Sequence, residues 1–396
     1  MKKNARRLGV ISIVLLIFLL GANVAIAGGP VAVDEWILPT LAVKTGPIAF
    51  AGLPFHWAAD YAAKEINASG GIRGVPLKIV HYDSAFPDMA KTAAVGAKAI
   101  PGALLINGPM IYPEVAAISQ LIVDAKVANI NAATIPMFLE QMAPYALGQL
   151  QSMPKGHVGA GLRWLNLNPD IKTVAIIYDA NQPELVQTLA EVMKAYENVE
   201  IKVVPCETAG ADQFDFSSAV LKAIRSKADG FQSFLLDFQT AAIAKELHNR
   251  GVNPGTAILS GYSSNGPALF STGKGYLENS YIWDNFNVVD TTPAYRKLSE
   301  DFAKDFNGMY VGTSTISSLD AVYAFKIAVE TLEITGDPAK LAEERKEIVD
   351  FLYNSPNLPG ALGTYQYHYV KGEKIAPYFL LQIRNNRFEY VDTLPQ

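Results

Sequence analysis

The chain has 396 residues, half of them hydrophobic, and a formal net charge of -5. That length exceeds what one hydrophobic core supports and suits two, while the acidic balance excludes a basic surface for nucleic acid or anionic lipid. Cys206 is the only cysteine, which excludes an intrachain disulfide framework; within the apolar run IKVVPCE it is expected to be a buried, inert thiol.

The first residues read as an export signal. Lys2, Lys3, Arg6 and Arg7 give a positive end, Leu8 to Leu20 is almost wholly apolar, and Ala25-Ile26-Ala27 offers small residues for cleavage after Ala27. Ser12, Gly21 and Asn23 interrupt the apolar run, which falls short of the roughly 20 apolar residues a spanning helix needs. Residues 1–27 are therefore expected to be a signal peptide. No cysteine follows on which a lipid anchor could be built, so the remainder is expected to be a soluble periplasmic protein.

From there, short apolar runs alternate with helical patterns. WILPTLAV (36–43) reads as a strand, LPFHWAADYAAKEINAS (53–69) as a helix and PLKIVHYDS (76–84) as a strand; KTAAVGAKAI, ALLINGP, PEVAAISQLIVDAK and VANINAAT continue the series. Gly70 and Gly71 suit the left-handed backbone that closes a helix, and Gly74 a tight turn into the next strand. A polar stretch around QSMPKGHVGAG is expected to break helix. After it come the strand KTVAIIYDA and a helix from Pro183 with Leu185, Leu189, Val192, Met193 and Tyr196 on one face. VEIKVVPCE, FSSAVLKAIRSKA, GFQSFLLDF, TAAIAKELHNR and TAILSGY complete a second series. Two further helices, PAYRKLSEDFAKDF and SSLDAVYAFKIAVETLEI, lead to a tail of short antiparallel strands with VKGEK and RNNR turns. Strands separated by helices imply parallel pairing with right-handed crossovers, hence an α/β fold of two doubly wound, Rossmann-like lobes.

The stretch INASGGIRGVPL followed by YDS, with TGPIAFAG upstream and LINGP and NINAAT downstream, resembles the first lobe of the branched-chain amino-acid (Leu/Ile/Val) binding proteins that serve ABC importers. PAYRKLSEDFAKDF and LDAVYAFKIAVE are similar to that family's late helices. The resemblance implies the type I periplasmic binding fold, two lobes joined by a three-crossing hinge with a ligand cleft between them. Lobe 1 would comprise 28–153 and 287–356, and lobe 2 would comprise 154–286 and 357–396.

Ligands of open α/β sheets lie off the carboxyl ends of the strands. That points to KTGPIAFAG, HYDSAF, NGPMIYPE and NAATIP in the first series, and to YDANQPE, LLDFQT and SGYSSNGP in the second. The resemblance implies that Ala133 and Thr134 present amides and a hydroxyl to a carboxylate, and that Phe50 and Ala51 form the first ligand loop. There are departures. Met110, Ile111 and Tyr112 stand where the family has a serine, the ligand-stacking tyrosine of the second lobe falls near Pro183, and the acid that anchors an ammonium aligns with Tyr262. Burying an ammonium without a carboxylate costs several kcal/mol, against about 8 kcal/mol for a micromolar ligand. Either Asp237 supplies the counter-charge or the ligand has no amine.

The loops hold many rings: Phe50, Trp57, Tyr82, Phe86, Tyr112, Tyr178, Phe238 and Tyr262. About half are expected to touch a ligand, since pockets use few side chains. Tyr112, Phe238 and Tyr262 are expected in the site, Trp57 and Tyr178 in structural roles. His56, His81, His157, His248 and His368 lack metal-site spacing, and neither a G-x-S-x-G elbow nor a phosphate-binding loop occurs. No metal, cofactor or catalytic residue is expected. The expected function is that of a non-enzymatic, monomeric solute-binding protein, taking an amino acid or an aromatic or aliphatic carboxylate to an inner-membrane ABC permease. A ligand sensor signalling to a regulatory partner is the alternative on the same fold; neighbouring permease and ATPase genes would separate the two.

Overall fold

A computed structural model describes residues 30–46, 48–208, 215–252, 258–273 and 275–396; the expected signal peptide lies outside the described residues. The alternation in the sequence folds as two sheets. In the first, β1 (Trp36–Ala42), α1 (Ala49–Ala68), β2 (Leu77–Asp83), α2 (Met89–Ala99), β3 (Leu105–Asn107), α3 (Tyr112–Ala125), β4 (Ala128–Asn131), α4 (Pro136–Gln141) and β5 (Ala146–Gly148) follow one another. Its five strands are parallel, in the order β2-β1-β3-β4-β5.

The second sheet is built from α5 (Met153–Leu167), β6 (Thr173–Asp179), α6 (Pro183–Glu197), β7 (Lys202–Thr208), α7 (Ser217–Arg225), β8 (Gly230–Ser233), α8 (Asp237–Asn249), β9 (Ile258–Ser260), α9 (Pro267–Gly273) and β10 (Tyr281–Asp284). Every residue of β6 after the first is buried, as a parallel strand covered on both faces requires. The chain then forms α10 (Pro293–Asp305), α11 (Thr313–Thr331) and α12 (Leu341–Tyr353), with α11 packed on α1 and β3 of the first sheet. A small antiparallel sheet of β11 (Leu358–Pro359), β12 (Gln366–Val370) and β13 (Glu373–Ile375) precedes β14 (Tyr378–Arg384) and β15 (Arg387–Leu394). These last two join the edge of the second sheet antiparallel, giving β15-β14-β10-β9-β8-β6-β7.

Local chemistry explains the joints. Gly71 after α1 has φ +77°, and a Cβ there would lie 2.3 Å from the Val75 carbonyl oxygen, so only glycine closes this turn. The stretch QSMPKGHVGAG, expected to break helix, instead begins α5, with Pro154 in its first turn. A Cβ on Gly156 would lie 2.5 Å from the Trp283 ring, and one on Gly161 would lie 2.1 Å from the Tyr196 hydroxyl oxygen. Each glycine weakens the helix by about 1 kcal/mol, and the rings it admits outweigh that. Between them His157 is buried and accepts from Trp283 Nε1 at 3.1 Å; burial lowers its pKa to about 3, so it is neutral.

Three passages of chain link the sheets: after β5, after β10 and between β13 and β14. The last lies later than the crossing expected near residue 357, because Tyr367, Tyr369 and Ala376 bury in the same core as Trp36 and Phe325 beside the first sheet. Gln151, in the first passage, joins the other two: its Nε2 donates to Asn285 O at 3.0 Å and to Pro377 O at 2.9 Å. Beside it Lys374 Nζ donates to Asp320 Oδ2 at 2.5 Å and to Gln149 O at 3.3 Å, both charged side chains being buried. Asp320 also accepts from Ala361 N at 2.8 Å and from the Tyr365 hydroxyl. Removing one partner of such a pair strands the other charge. Asp320→Ala is expected to lower the unfolding free energy in urea by about 3–5 kcal/mol, whereas Asp320→Leu combined with Lys374→Met is expected to lower it by less than Asp320→Ala alone.

Candidate ligand-binding cleft

The strand-end loops of the two sheets face each other across a cavity of about 430 Å³. Phe50, Ala51, Tyr112 and Thr134 line it from the first sheet, and Asp237 and Tyr262 from the second. These expected residues come together. Tyr112, at the start of α3, stacks on Phe138 with ring centroids 3.6 Å apart and planes 16° apart. Tyr262 follows β9, lies edge-on to Trp283 at 5.2 Å and reaches the Thr134 side chain across the cleft; burial pushes its phenol up to about 12.

Two expected residues are not among those lining the cleft. Ala133 is fully buried, and its N–H donates to Asn131 Oδ1 at 2.8 Å, so its amide is already occupied. Phe238 is one residue further into α8 than Asp237, and successive helical residues point about 100° apart. Of the other rings Phe86 lines the cavity, whereas Tyr82 and Tyr178 do not. Trp57 is structural as expected, stacked on Tyr61 at 5.0 Å and donating to Asp305 Oδ2 at 2.6 Å.

Asp237 does not stand ready for an ammonium. Its Oδ1 accepts from Phe238 N within α8 and its Oδ2 from Ala268 N, each at 2.8 Å, so both oxygens are occupied and the second ties the start of α8 to the start of α9. Burial raises its pKa. Asp179, also lining the cavity, is engaged similarly by Asn181 N at 2.9 Å and Gln182 Nε2 at 2.8 Å.

Several lining residues escape a reading of strand ends. Met309, Tyr310 and Gly312 come from the connection between α10 and α11 and Thr313 opens α11, so all four follow a helix, not a strand. Tyr310 donates to Gly266 O at 2.5 Å and Thr313 Oγ1 to Asp284 Oδ1 at 2.6 Å, so this segment fastens to the second sheet just before α9 and at the end of β10. Its signal in the sequence is the aromatic in NGMYVG, flanked by glycines. Glu184 was missed as well, although it lies within YDANQPE. It is second in α6 behind Pro183, it lines the cavity, and its Oε2 is buried without a partner. Burial raises its pKa, with the Asp179 charge adding to the effect.

His56 and His81 meet each other. His56 Nδ1 lies 2.8 Å from His81 Nδ1, while the other nitrogens reach Ala42 O at 3.0 Å and Asp60 Oδ1 at 2.8 Å. Among the described residues, no group of three or more histidine, cysteine or acidic side chains is arranged to hold a metal ion.

Residues 38–387 match the periplasmic binding protein family. The chain belongs to that family. Its fold is shared with solved periplasmic binding proteins whose ligands differ widely. A leucine-binding protein LivK from Thermotoga maritima has a TM-score of 0.77 at 19% identity, covering 91% of this chain and 99% of its own. A Rhodopseudomonas palustris solute-binding protein in complex with 4-hydroxybenzoate gives 0.77 at 16%, covering 92% and 98%. A fatty acid ABC transporter substrate-binding protein from Thermomonospora curvata gives 0.77 at 20%, covering 93% and 94%. No curated protein sequence matches the chain. These likenesses bear out the resemblance at the level of the type I fold.

Behind the cleft Asp284 is fully buried, held by Thr313, Asn265 and the Asn285 amide, and burial raises its pKa from 3.8 to about 6. A carboxyl raised on folding binds its proton more tightly in the folded state. The contribution of Asp284 to stability is therefore greater at low pH and declines as pH rises from about 4 to about 6. Asp284→Asn is expected to remove this decline. Relative to wild type, the variant should gain on the order of 3 kcal/mol between those pH values, read from urea unfolding at each pH.

Proposed function

We propose that this protein is the solute-binding component of an ABC importer. It would work in the periplasm, close two lobes over a small organic solute, either an amino acid or an aromatic or aliphatic carboxylate, and deliver it to a permease in the inner membrane. One observation carries the reading: the cavity of about 430 Å³ at the strand ends of both sheets, where Phe50, Tyr112, Thr134 and Tyr262 converge. Its size suits a small organic molecule, and its walls combine many apolar side chains with a few polar groups. The names of the structural neighbours, binding proteins for leucine, 4-hydroxybenzoate and fatty acid, support solute capture without catalysis.

Closure is a hinge motion about the three passages, selected by the solute because only a closed arrangement touches it from both sheets. No cofactor enters this scheme, and a monomer suffices for it.

Thermal unfolding with branched-chain and aromatic amino acids, aromatic acids, keto acids and amides tests the proposal. A bound compound at about a hundred times its dissociation constant adds about 2.7 kcal/mol, which moves the melting temperature by several degrees. No shift with any compound would count against solute capture. Tyr262→Ala is expected to weaken binding of any compound that does shift it by about tenfold or more, roughly 1.4 kcal/mol, with the circular dichroism unchanged; unaltered affinity removes Tyr262 from the site.

A further inference from the structure

The cavity carries an uneven set of charges. Asp179, Glu184 and Asp237 line it, and no lysine, arginine or histidine is among its described lining residues. Two of these acids are engaged: both oxygens of Asp179 and one of Asp237 accept from N–H groups within three residues, and the other oxygen of Asp237 accepts from Ala268 N at the start of α9. Glu184 is the exception. It is only 9% exposed, and its Oε2 has no hydrogen-bond partner. A buried carboxylate oxygen without a donor is costly, and this one belongs to a residue on the wall of a cavity that a ligand can fill.

The place of Glu184 is central. It is second in α6, beside the second sheet, and its charge bears on the phenols of Tyr112, from the first sheet, and Tyr262, from the second. A second acceptor faces the same cavity: Asn265 turns its amide nitrogen to Asp284, which leaves its Oδ1 buried and unpartnered. Both vacancies call for a donor. A solute whose polar head is only a carboxylate would lie against Glu184 and Asp179 without a cation to offset it, whereas an ammonium supplies donors of the kind Glu184 lacks and offsets its charge.

We infer that Glu184 is the anchor for an ammonium group of the solute, so that the cleft selects amine-bearing apolar molecules over carboxylates of the same shape. This rests on the solute-capture reading and narrows it. It also resolves the counter-charge left open by Tyr262: the acid comes from the first turn of α6, not from Asp237.

The test is calorimetry with two matched trios: L-leucine, 4-methyl-2-oxopentanoate and 3-methylbutylamine; and L-phenylalanine, phenylpyruvate and 2-phenylethylamine. In at least one trio an amine-bearing member is expected to bind about tenfold or more tighter than the keto acid. Glu184→Gln, nearly isosteric, is expected to abolish that preference by weakening the amine about tenfold while leaving the keto acid unchanged or tighter. Its melting temperature without ligand should hold, because the variant removes an unpartnered buried carboxylate. Glu184→Asp keeps the charge and should keep the direction of the preference, which guards against a purely structural effect. Keto acids binding as tightly as amines, or a preference that survives Glu184→Gln, overturns the role of Glu184 while solute capture stands. Binding by none of the six compounds overturns the role of Glu184 and weighs against solute capture itself.

Discussion

The Gln151 amide holds the joint on which the cleft depends. Its nitrogen reaches both of the other passages between the sheets, at Asn285 O and Pro377 O, so three separate stretches of chain meet at one side chain. An amide suits this place because it offers two donors in one plane without a charge to desolvate. The neighbouring Lys374 and Asp320 add a buried pair that fastens β13 to α11 and to the backbone of Gln149, which lines the cavity. The loops on either side are thereby carried by elements that these bonds tie together at the passages between the sheets.

Around that joint the acidic side chains divide by what their oxygens meet. Asp237 and Asp179 accept from backbone or side-chain N–H groups nearby and hold the starts of helices in place. Asp284 binds Thr313, in the α10–α11 region, and so links the second sheet to helices packed on the first. Glu184 alone of the three lining acids keeps a buried oxygen unpartnered. Carboxyl groups thus tie the cleft together in three positions and keep an unpartnered oxygen in the fourth, and the difference lies in donor supply, not in burial, since all four are buried.

Much of this architecture can be read from the linear chain. Strands such as KTVAIIYDA are continuous apolar runs because both faces of a parallel sheet are covered, and Gly71 marks a turn only glycine can make. The strand-end rule located Phe50, Ala51, Tyr112, Thr134, Asp237 and Tyr262 on the cavity wall. It failed where backbone or partner geometry intervened. The Ala133 amide turned to Asn131, and Phe238 rotated away with the helix that begins at Asp237. Gly156 and Gly161 read as helix breakers when they are spaces for Trp283 and Tyr196, rings distant in sequence.

Period, turn chemistry and strand-end position are local properties, and they sufficed to determine an α/β chain of two wound series with its polar loops at the sheet ends. Only the folded arrangement decided which carboxylates already have donors, that the α10–α11 connection reaches the cleft, and that β12 and β13 pack beside the first sheet before the chain enters β14. Hydrogen-bond satisfaction and side-chain packing join residues far apart in sequence, and no periodicity in the chain encodes which partner each will meet.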